Sequence, residues 1–228
     1  MNDAGLDDAG LDDAPSNDAS SNDVGVTLSA KGTRLNKRGL ETREHLLRAA
    51  LRSLAEGGPD AVSASSVARE AGATWGTVQH QFGDVDGLWA AVLEFVLADR
   101  DALTPRMPDS PSLAARVDAI LDLLWSAMDR PASRAIHHLR LALPRHREEL
   151  ESAYPRTAAA NAHWDEAWTE TVERAFDGLD VDPARRARVR SLLPGAMRGL
   201  HSEQFLSTYT DSDEARAGLA GAITAYLS

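Results

Sequence analysis

A run of small and polar side chains follows a tight glycine turn in the first third of the sequence. The residues are Thr74, Trp75, Gly76, Thr77, Gln79 and His80. A helix that enters the major groove of DNA needs small or polar side chains at its N-terminal end, because bulk there holds the backbone away from the base edges. Gly76 allows the backbone to approach a duplex closely. The pattern predicts a DNA-reading helix that begins at Thr74.

Three predicted helices position these residues. The first begins near Leu40, shows apolar residues at spacings of three and four, and ends at the glycines 57–58. Either Ser63 or Ser65 caps a short second helix, and Thr74 caps the third. Two short helices that are joined by a tight turn and packed against a preceding helix form a helix-turn-helix.

Four sequence segments carry a family resemblance. Residues 42–50 read TREHLLRAA, 56–58 read EGG, 66–72 read SVAREAG and 76–82 read GTVQHQF. In residue type, spacing and order they resemble the DNA-binding domain of the TetR (tetracycline-repressor) family, over residues 42–93. The resemblance implies an all-α fold of about nine helices. In that fold a three-helix DNA-binding domain precedes a helical domain for ligand binding and dimerisation.

The resemblance also implies which residues contact DNA. Phosphate contacts are implied for Arg43, Ser63, Ser65 and His80, and base or groove contacts for Thr74, Trp75, Gly76 and Thr77. Three of these residues have a simpler alternative role. His80 is then a hydrogen-bonded structural residue, Trp75 an internal side chain and Arg43 a solvated charge. Val78 and Phe82 are expected in the core.

Three positions depart from the family pattern. Trp75 and Val85 stand where lysines are common, and Gln79 stands where an aromatic residue contacts phosphate. Gln79 is able to bond either a base edge or a phosphate. The loss of two cations predicts weaker non-specific binding and a lower salt dependence. Basic residues before the first helix are expected to restore part of this charge as a flexible arm; they are Lys31, Arg34, Lys37 and Arg38.

The net charge of −11 is divided unevenly along the chain. Residues 1–30 carry −7, residues 31–83 carry +3 and residues 84–228 carry −7. The first segment is a low-complexity acidic tail that we expect to be disordered. It either keeps the protein soluble or competes with an anionic partner. We therefore predict a tail at 1–30, a DNA-binding domain at 31–84 and a ligand-binding and dimerisation domain at 85–228.

The C-terminal half reads as long helices without period-2 alternation. The predicted helices run from about Asp86 to Leu103, Ser112 to Met128, 132–143, 157–176, 182–206 and 211–227. Two apolar stripes on the last two helices, with small residues between them, predict pairing across a two-fold axis. A palindromic operator with half-sites about 34 Å apart also requires a dimer. The stripes comprise Leu192, Leu193, Ala196, Met197 and Leu200, and Leu219, Ala222, Ile223, Ala225 and Tyr226.

Large or polar side chains on these otherwise apolar helices are candidates for an effector pocket. They are Trp125, Met128, His137, His138, Trp164, Trp168, Met197 and His201. The tryptophans favour a flat, hydrophobic or aromatic small molecule, although ordinary core packing explains any one of them. The adjacent pair His137 and His138 points in directions about 100° apart on a helix, which disfavours a shared metal ion.

Several classes of protein are excluded or disfavoured. The sequence contains no cysteine, which excludes disulfides and thiolate chemistry. No apolar run reaches the ~18 residues of a membrane span, and the acidic N-terminus is unlike a secretory signal, so we expect a soluble cytoplasmic protein. No catalytic constellation or cofactor motif is visible, and we expect no enzyme activity. The remaining alternative to a DNA-binding regulator is a helical protein-interaction module without DNA binding.

Overall fold

The protein is helical throughout the part of the chain that the structure describes. The computed structural model describes residues 27–58, 63–99, 112–206 and 209–228. Within these ranges there are ten α-helices and a single β-type bridge, between Leu28 and Arg34, which confirms the all-α fold. The helices are α1 (Lys37–Gly57), α2 (Ala64–Glu70), α3 (Trp75–Phe82), α4 (Val85–Ala98), α5 (Leu113–Met128), α6 (Pro131–Ala142), α7 (Arg147–Ala153), α8 (Pro155–Ala175), α9 (Pro183–Glu203) and α10 (Ser212–Leu227).

Side-chain caps set half of the described helix starts where the sequence places them. The caps that the structure confirms are Ser63, Thr74, Ser112, Asp182 and Asp211. One helix start and one whole helix differ from expectation. Helix α1 begins at Lys37 because the Asn36 side chain accepts a hydrogen bond from the Gly39 amide at 2.9 Å. Helix α7 was not predicted, because it occupies a short stretch between two prolines that reads as a kink.

The ends of two helices also differ from expectation. Helix α4 ends at Ala98, with Asp99 as its C-cap, whereas the sequence predicts an end near Leu103. That predicted end lies outside the described residues, as do residues 1–26 of the acidic tail. Helix α9 ends at Glu203 and not at Leu206.

Two apolar cores share one long helix. The first core packs α1 to α4 against α6 and the first half of α8, with Leu46, Leu54, Val78 and Trp89 at its centre. The second core joins α5, α9 and α10 to the second half of α8. Helix α8 contributes Trp164 to the first core and Trp168 to the second. The helices that flank α3 are therefore packed directly against the C-terminal half of the chain.

The end of α3 meets the starts of α4 and α8 in a tight junction. Asp84 caps α4 by accepting a hydrogen bond from the Gly87 amide at 2.9 Å. Gly87 is buried beneath the Arg156 side chain, and a Cβ atom at this position would lie on the Phe82 carbonyl oxygen and 2.5 Å from Arg156 Nη1. Close backbone packing at this point requires glycine.

Gly87→Ala tests this packing. Alanine is the better helix former by about 1 kcal/mol, but overpacking of a rigid site costs roughly 1–3 kcal/mol, so we expect a net loss of stability. The free energy of unfolding in urea measures the loss. Gly76→Ala is the matched control, because its Cβ would meet only Thr74 Oγ1, at 3.6 Å, and should not destabilise the protein. Equal stability of the two variants would contradict the junction.

Candidate nucleic-acid interface

The N-terminal end of α3 projects small and polar side chains outward. Thr74 caps the helix, and its Oγ1 accepts a hydrogen bond from the Thr77 amide at 3.2 Å and lies 3.0 Å from Thr77 Oγ1. Trp75 is 39% exposed, whereas the other four tryptophans are buried or half-buried. Gly76 is exposed, and nothing in the protein restricts the space beside it. This end of the helix is free to meet a surface.

The other predicted contact residues near α3 are also accessible. Ser63 caps α2 through its Oγ, which accepts a hydrogen bond from the Ser66 amide at 3.1 Å. Ser65, Gln79 and His80 are exposed. Of the two serines that the sequence offered as the cap of α2, Ser63 is therefore the cap, and Ser65 is exposed on the surface.

Acidic charge is nearly absent from this part of the chain. Between Ser63 and Phe82 the only acidic residue is Glu70, which pairs with Arg52 at 3.3 Å. The first turn of α3 contains no acidic residue. Since carboxylates repel phosphate, a helix end without them is compatible with a polyanion despite the net charge of the whole chain.

The opposite end of α3 is bound to three other elements. A helix leaves its last four carbonyls without intrahelical partners. In α3 the Gln79 carbonyl accepts from the Gly83 amide at 2.8 Å, and the His80 carbonyl accepts from the Ala30 amide at 3.3 Å. The next two carbonyls accept from guanidinium groups, Gln81 from Arg43 at 2.8 Å and Phe82 from Arg156 at 3.2 Å. All four are therefore paired, and the helix is fixed from behind.

Arg43 has a structural role that its position in the sequence did not indicate. It is half-buried, it bonds the Gln81 carbonyl, and its guanidinium lies 4.4 Å from the centre of the Phe82 ring. Burial lowers the pKa of Arg43 from its ordinary value. Phe82 and Val78 are buried as expected. A phosphate contact by Arg43 stays a prediction.

Asp86 holds the arginine that reaches α3. Its carboxylate accepts from the backbone amides of Arg156 at 3.0 Å and Thr157 at 2.8 Å, from Arg156 Nε at 3.2 Å and from Thr157 Oγ1 at 2.8 Å. Tyr154, the N-cap residue of α8, provides no side-chain cap. Asp86 therefore caps α8 from another helix. Burial alone raises the pKa of Asp86, but these hydrogen bonds outweigh it and hold the pKa below its ordinary value.

The four basic residues predicted as a flexible arm are ordered: Lys31 and Arg34 lie in a hydrogen-bonded loop before α1, and Lys37 and Arg38 lie in the first turn of α1. The Leu35 amide donates to the Thr27 carbonyl at 3.1 Å, and the Ser29 amide donates to the Thr33 carbonyl at 2.8 Å. Ser29 is buried. This loop, residues 27–36, supplies the Ala30 amide that bonds the His80 carbonyl.

The predicted effector residues fall into separate groups. Trp125 and His201 form an edge-to-face pair with ring centres 5.3 Å apart, near Asp129 and Arg216. Met197 is buried in the second core, and Met128 packs against that core. The structure does not bring the whole predicted set into one cavity.

Hydrogen bonds explain three of the remaining effector candidates as structural residues. His138 Nδ1 donates to the Leu54 carbonyl at 2.7 Å, and Trp164 Nε1 donates to the Leu93 carbonyl at 3.0 Å. Trp168 Nε1 donates to the Arg190 carbonyl at 3.1 Å. Pro194 lies four residues after Arg190 inside α9 and has no amide hydrogen, so the indole replaces the missing helical bond.

A surface cleft of about 340 Å³ lies between α4 and α8, away from the predicted effector residues. The cleft was not predicted from the sequence, because its lining comes from adjoining sides of two helices that are far apart in the chain. The lining residues are Glu94, Leu97, Ala98, His163, Glu166, Ala167 and Glu170. In the described part of the chain no three His, Asp or Glu side chains are grouped to hold a metal ion. No described helix is long and apolar enough to cross a membrane.

Residues 46–92 match the family described as bacterial regulatory proteins, tetR family. The matched segment runs from α1 through α3 into α4, so it contains the exposed helix end and the junction behind it. This segment of the chain is therefore similar to TetR-family regulatory proteins. The match agrees with the resemblance in the sequence.

Similarity to individual proteins is higher in sequence over a short segment and extends in fold over most of the chain. The HTH-type transcriptional regulator BetI of Burkholderia mallei (strain NCTC 10229) is 42% identical over 74 residues, which are 32% of this chain and 38% of BetI. NalD of Pseudomonas aeruginosa, the secondary repressor of the MexAB-OprM efflux pump, has a TM-score of 0.57 at 22% identity, covering 84% of this chain and 98% of NalD. The multidrug binding protein EbrR, complexed with imidazole, has a TM-score of 0.58 at 21% identity, covering 88% and 98%. These structures show that the shared fold extends well beyond residue 92.

Asp86→Asn should destabilise the protein by about 2 kcal/mol at pH 7, since an amide loses charge-assisted hydrogen bonds and turns N–H groups toward donors. A carboxylate whose pKa is lower in the folded than in the unfolded protein stabilises the folded state at pH values above the unfolded pKa of about 3.9. This stabilisation disappears as the pH falls through the lower pKa of the folded state. The difference in unfolding free energy between wild type and variant should therefore be largest near neutrality and narrow below about pH 4.

Urea unfolding from pH 7 to pH 3 measures this difference. Asp118→Asn, which changes an exposed carboxylate on α5, is the matched control and should stay near wild type throughout. A constant gap between wild type and Asp86→Asn across the pH range would contradict the assigned role of Asp86.

Proposed function

We propose that the protein is a homodimeric transcriptional repressor that binds a palindromic operator through α3 and leaves it when a small hydrophobic or aromatic molecule binds. The observation that carries DNA binding is the N-terminal end of α3. It is exposed, it includes an outward-facing Trp75 and it has no acidic neighbour in its first turn. A helix held so firmly at one end and so open at the other suits insertion into a groove.

The contact set follows from this orientation. Trp75 packs on a thymine methyl group or on sugar, and Thr74 and Thr77 bond base edges or nearby phosphates. Ser63 and Ser65 at the start of α2, together with His80, contact phosphates. Residues 31–84 form the DNA-binding domain in this proposal, and residues 85–228 provide ligand binding and dimerisation.

Two unpartnered helix faces support a dimer. On α9 the outward stripe contains Leu192, which is 53% exposed, and Gly195. On α10 it contains the exposed Gly218, Gly221 and Ala222. The space beside all three glycines is empty, so a second copy can approach closely. Leu193, Met197 and Ile223, which sequence analysis placed in the same stripes, are buried in the second core and belong to the monomer.

The junction gives a route from effector to operator. Helix α8 spans both cores, and Arg156 at its start bonds the last carbonyl of α3. In this proposal the effector binds more tightly to a conformer in which α8 is shifted, and in that conformer the two copies of α3 no longer fit their half-sites. Operator binding is weakened by the difference between the effector's affinities for the two conformers. The similarity in fold to NalD, a secondary repressor, and to EbrR, a multidrug binding protein, supports this proposal.

A helical protein-interaction module is the second candidate, and the net charge of −11 favours it. Selection of bound fragments from the source genome distinguishes the two functions. A regulator enriches fragments that share a palindrome, whereas an interaction module enriches none.

Thr77→Ala should weaken operator binding about tenfold, the scale of one lost base-edge contact, without changing stability. Fluorescence polarisation with the selected palindrome measures the affinity, and urea unfolding measures the stability. Thr169→Ala on α8 is the matched control and should bind like wild type. If Thr77→Ala binds normally while wild type binds the palindrome, α3 is not the reading helix.

Leu192→Arg should convert the dimer into a folded monomer, because a charge replaces an apolar side chain at the proposed contact. Light scattering after gel filtration gives the mass. Operator affinity should fall on the order of 100-fold, since two linked half-site contacts become independent. Leu141→Arg, at another exposed leucine, should remain dimeric. A dimeric Leu192→Arg protein would place the interface elsewhere.

A further inference from the structure

The loop at residues 27–36 is an ordered element that has no part in the DNA contacts proposed above. Its ends are joined by the Leu28–Arg34 bridge and by the hydrogen bond from the Leu35 amide to the Thr27 carbonyl. Gly32 turns the chain with a φ of 74°, a conformation that glycine adopts without strain. The Ser29 Oγ accepts a hydrogen bond from the Thr33 amide at 3.2 Å. The loop therefore has a defined shape that does not depend on a partner.

The loop is attached to the back of the recognition helix. The Ala30 amide donates to the His80 carbonyl, and the Ala30 Cβ lies 3.4 Å from where a Cβ on Gly83 would be. Lys31 follows Ala30 directly, so its Cα is about 3.8 Å from that of the docked residue. His80 is five residues from Trp75 along α3, a rise of about 7.5 Å. The backbone of Lys31 is thus held beside the C-terminal end of α3.

The helix-turn-helix itself carries little positive charge for a duplex. Helices α2 and α3 contain only Arg69 and His80 as basic residues, and Arg43 is occupied by the Gln81 carbonyl. Lys31 and Arg34, by contrast, are exposed, and neither forms an ion pair with a described residue. Phosphate contacts supply most of the affinity of such proteins for DNA, so these cations lie where charge is needed.

We infer that the loop is a second DNA-binding element, in which Lys31 and Arg34 contact backbone phosphates at the edge of the groove that α3 occupies. The major groove is about 12 Å wide, so a loop fixed to the C-terminal end of a helix within it lies over the phosphates at its rim. The inference rests on the proposed function and deepens it: the docked loop provides charge and orientation, and α3 reads the sequence.

Lys31→Ala and Arg34→Ala test the inference in the full chain. Each should lower the salt dependence of binding by about one unit per protomer, and each lost contact should lower affinity about fivefold at 0.15 M salt. The loss should be similar for the selected palindrome and for a scrambled duplex, because phosphate contacts carry no sequence information. Polarisation titrations across a salt series provide all three quantities.

Arg174→Ala is the matched control, because this exposed arginine lies at the far end of α8 and should leave the salt slope unchanged. Failure of wild type to bind any genomic fragment would overturn the proposed function and this inference with it. If wild type binds, but Lys31→Ala and Arg34→Ala keep the wild-type slope, the loop is not a DNA-binding element and the proposed function stands. A loss confined to the palindrome, at unchanged slope, also overturns the inference.

Hydrogen exchange of the free protein tests the docking separately. The amides of Ser29, Ala30 and Leu35 are hydrogen-bonded, so they should exchange more slowly than the amides of an unstructured peptide. Exchange at the unstructured rate would show that the loop is not held on α3, and it would overturn the inference.

Discussion

One carboxylate controls how the two halves of this protein meet. Asp86 is buried in the first turn of α4, and it accepts hydrogen bonds from two backbone amides and two side-chain groups at the start of α8. A buried charge is tolerated only where such bonds replace water, so this carboxylate fixes α8 relative to α4. Once α8 is fixed, Arg156 is fixed as well, and with it the last carbonyl of α3. The direction in which α3 faces is therefore decided by interactions outside the helix-turn-helix.

The two ends of α3 differ in their partners because of helix geometry. The final carbonyls of a helix must find donors, and here the donors come from the loop before α1, from α1 and from α8. The first turn needs only its own Thr74 cap and stays open. A helix of eight residues has little stability by itself, so its position depends on these partners. These three elements therefore help to set the orientation of Trp75 and Thr77.

Local patterns were sufficient for much of this structure. Capping residues such as Thr74 and Asp182 and the apolar spacing of α1 predicted most helices, because these signals act over a few residues. The outward position of Trp75 agreed with one of the two alternatives. The partners of Arg43, Asp86 and Trp168 were not predictable, since each bonds a group between 22 and 71 residues away in the chain. Pro194 has no amide hydrogen and so indicated a free carbonyl at Arg190 in α9, but no prediction was based on it.

The shared first core has a consequence for building chimeric regulators. A chimera with its cut just before α4 would keep Asp86 and α8 together, but it would pair a foreign α3 with the Arg156 that bonds the last carbonyl of α3. It would also pair a foreign α1 with the α6 residues that cover Leu54. A transplant that respects this packing must carry α6, α7 and the opening turns of α8 along with the first four helices. The transferable unit is thus discontinuous in sequence although it is continuous in space.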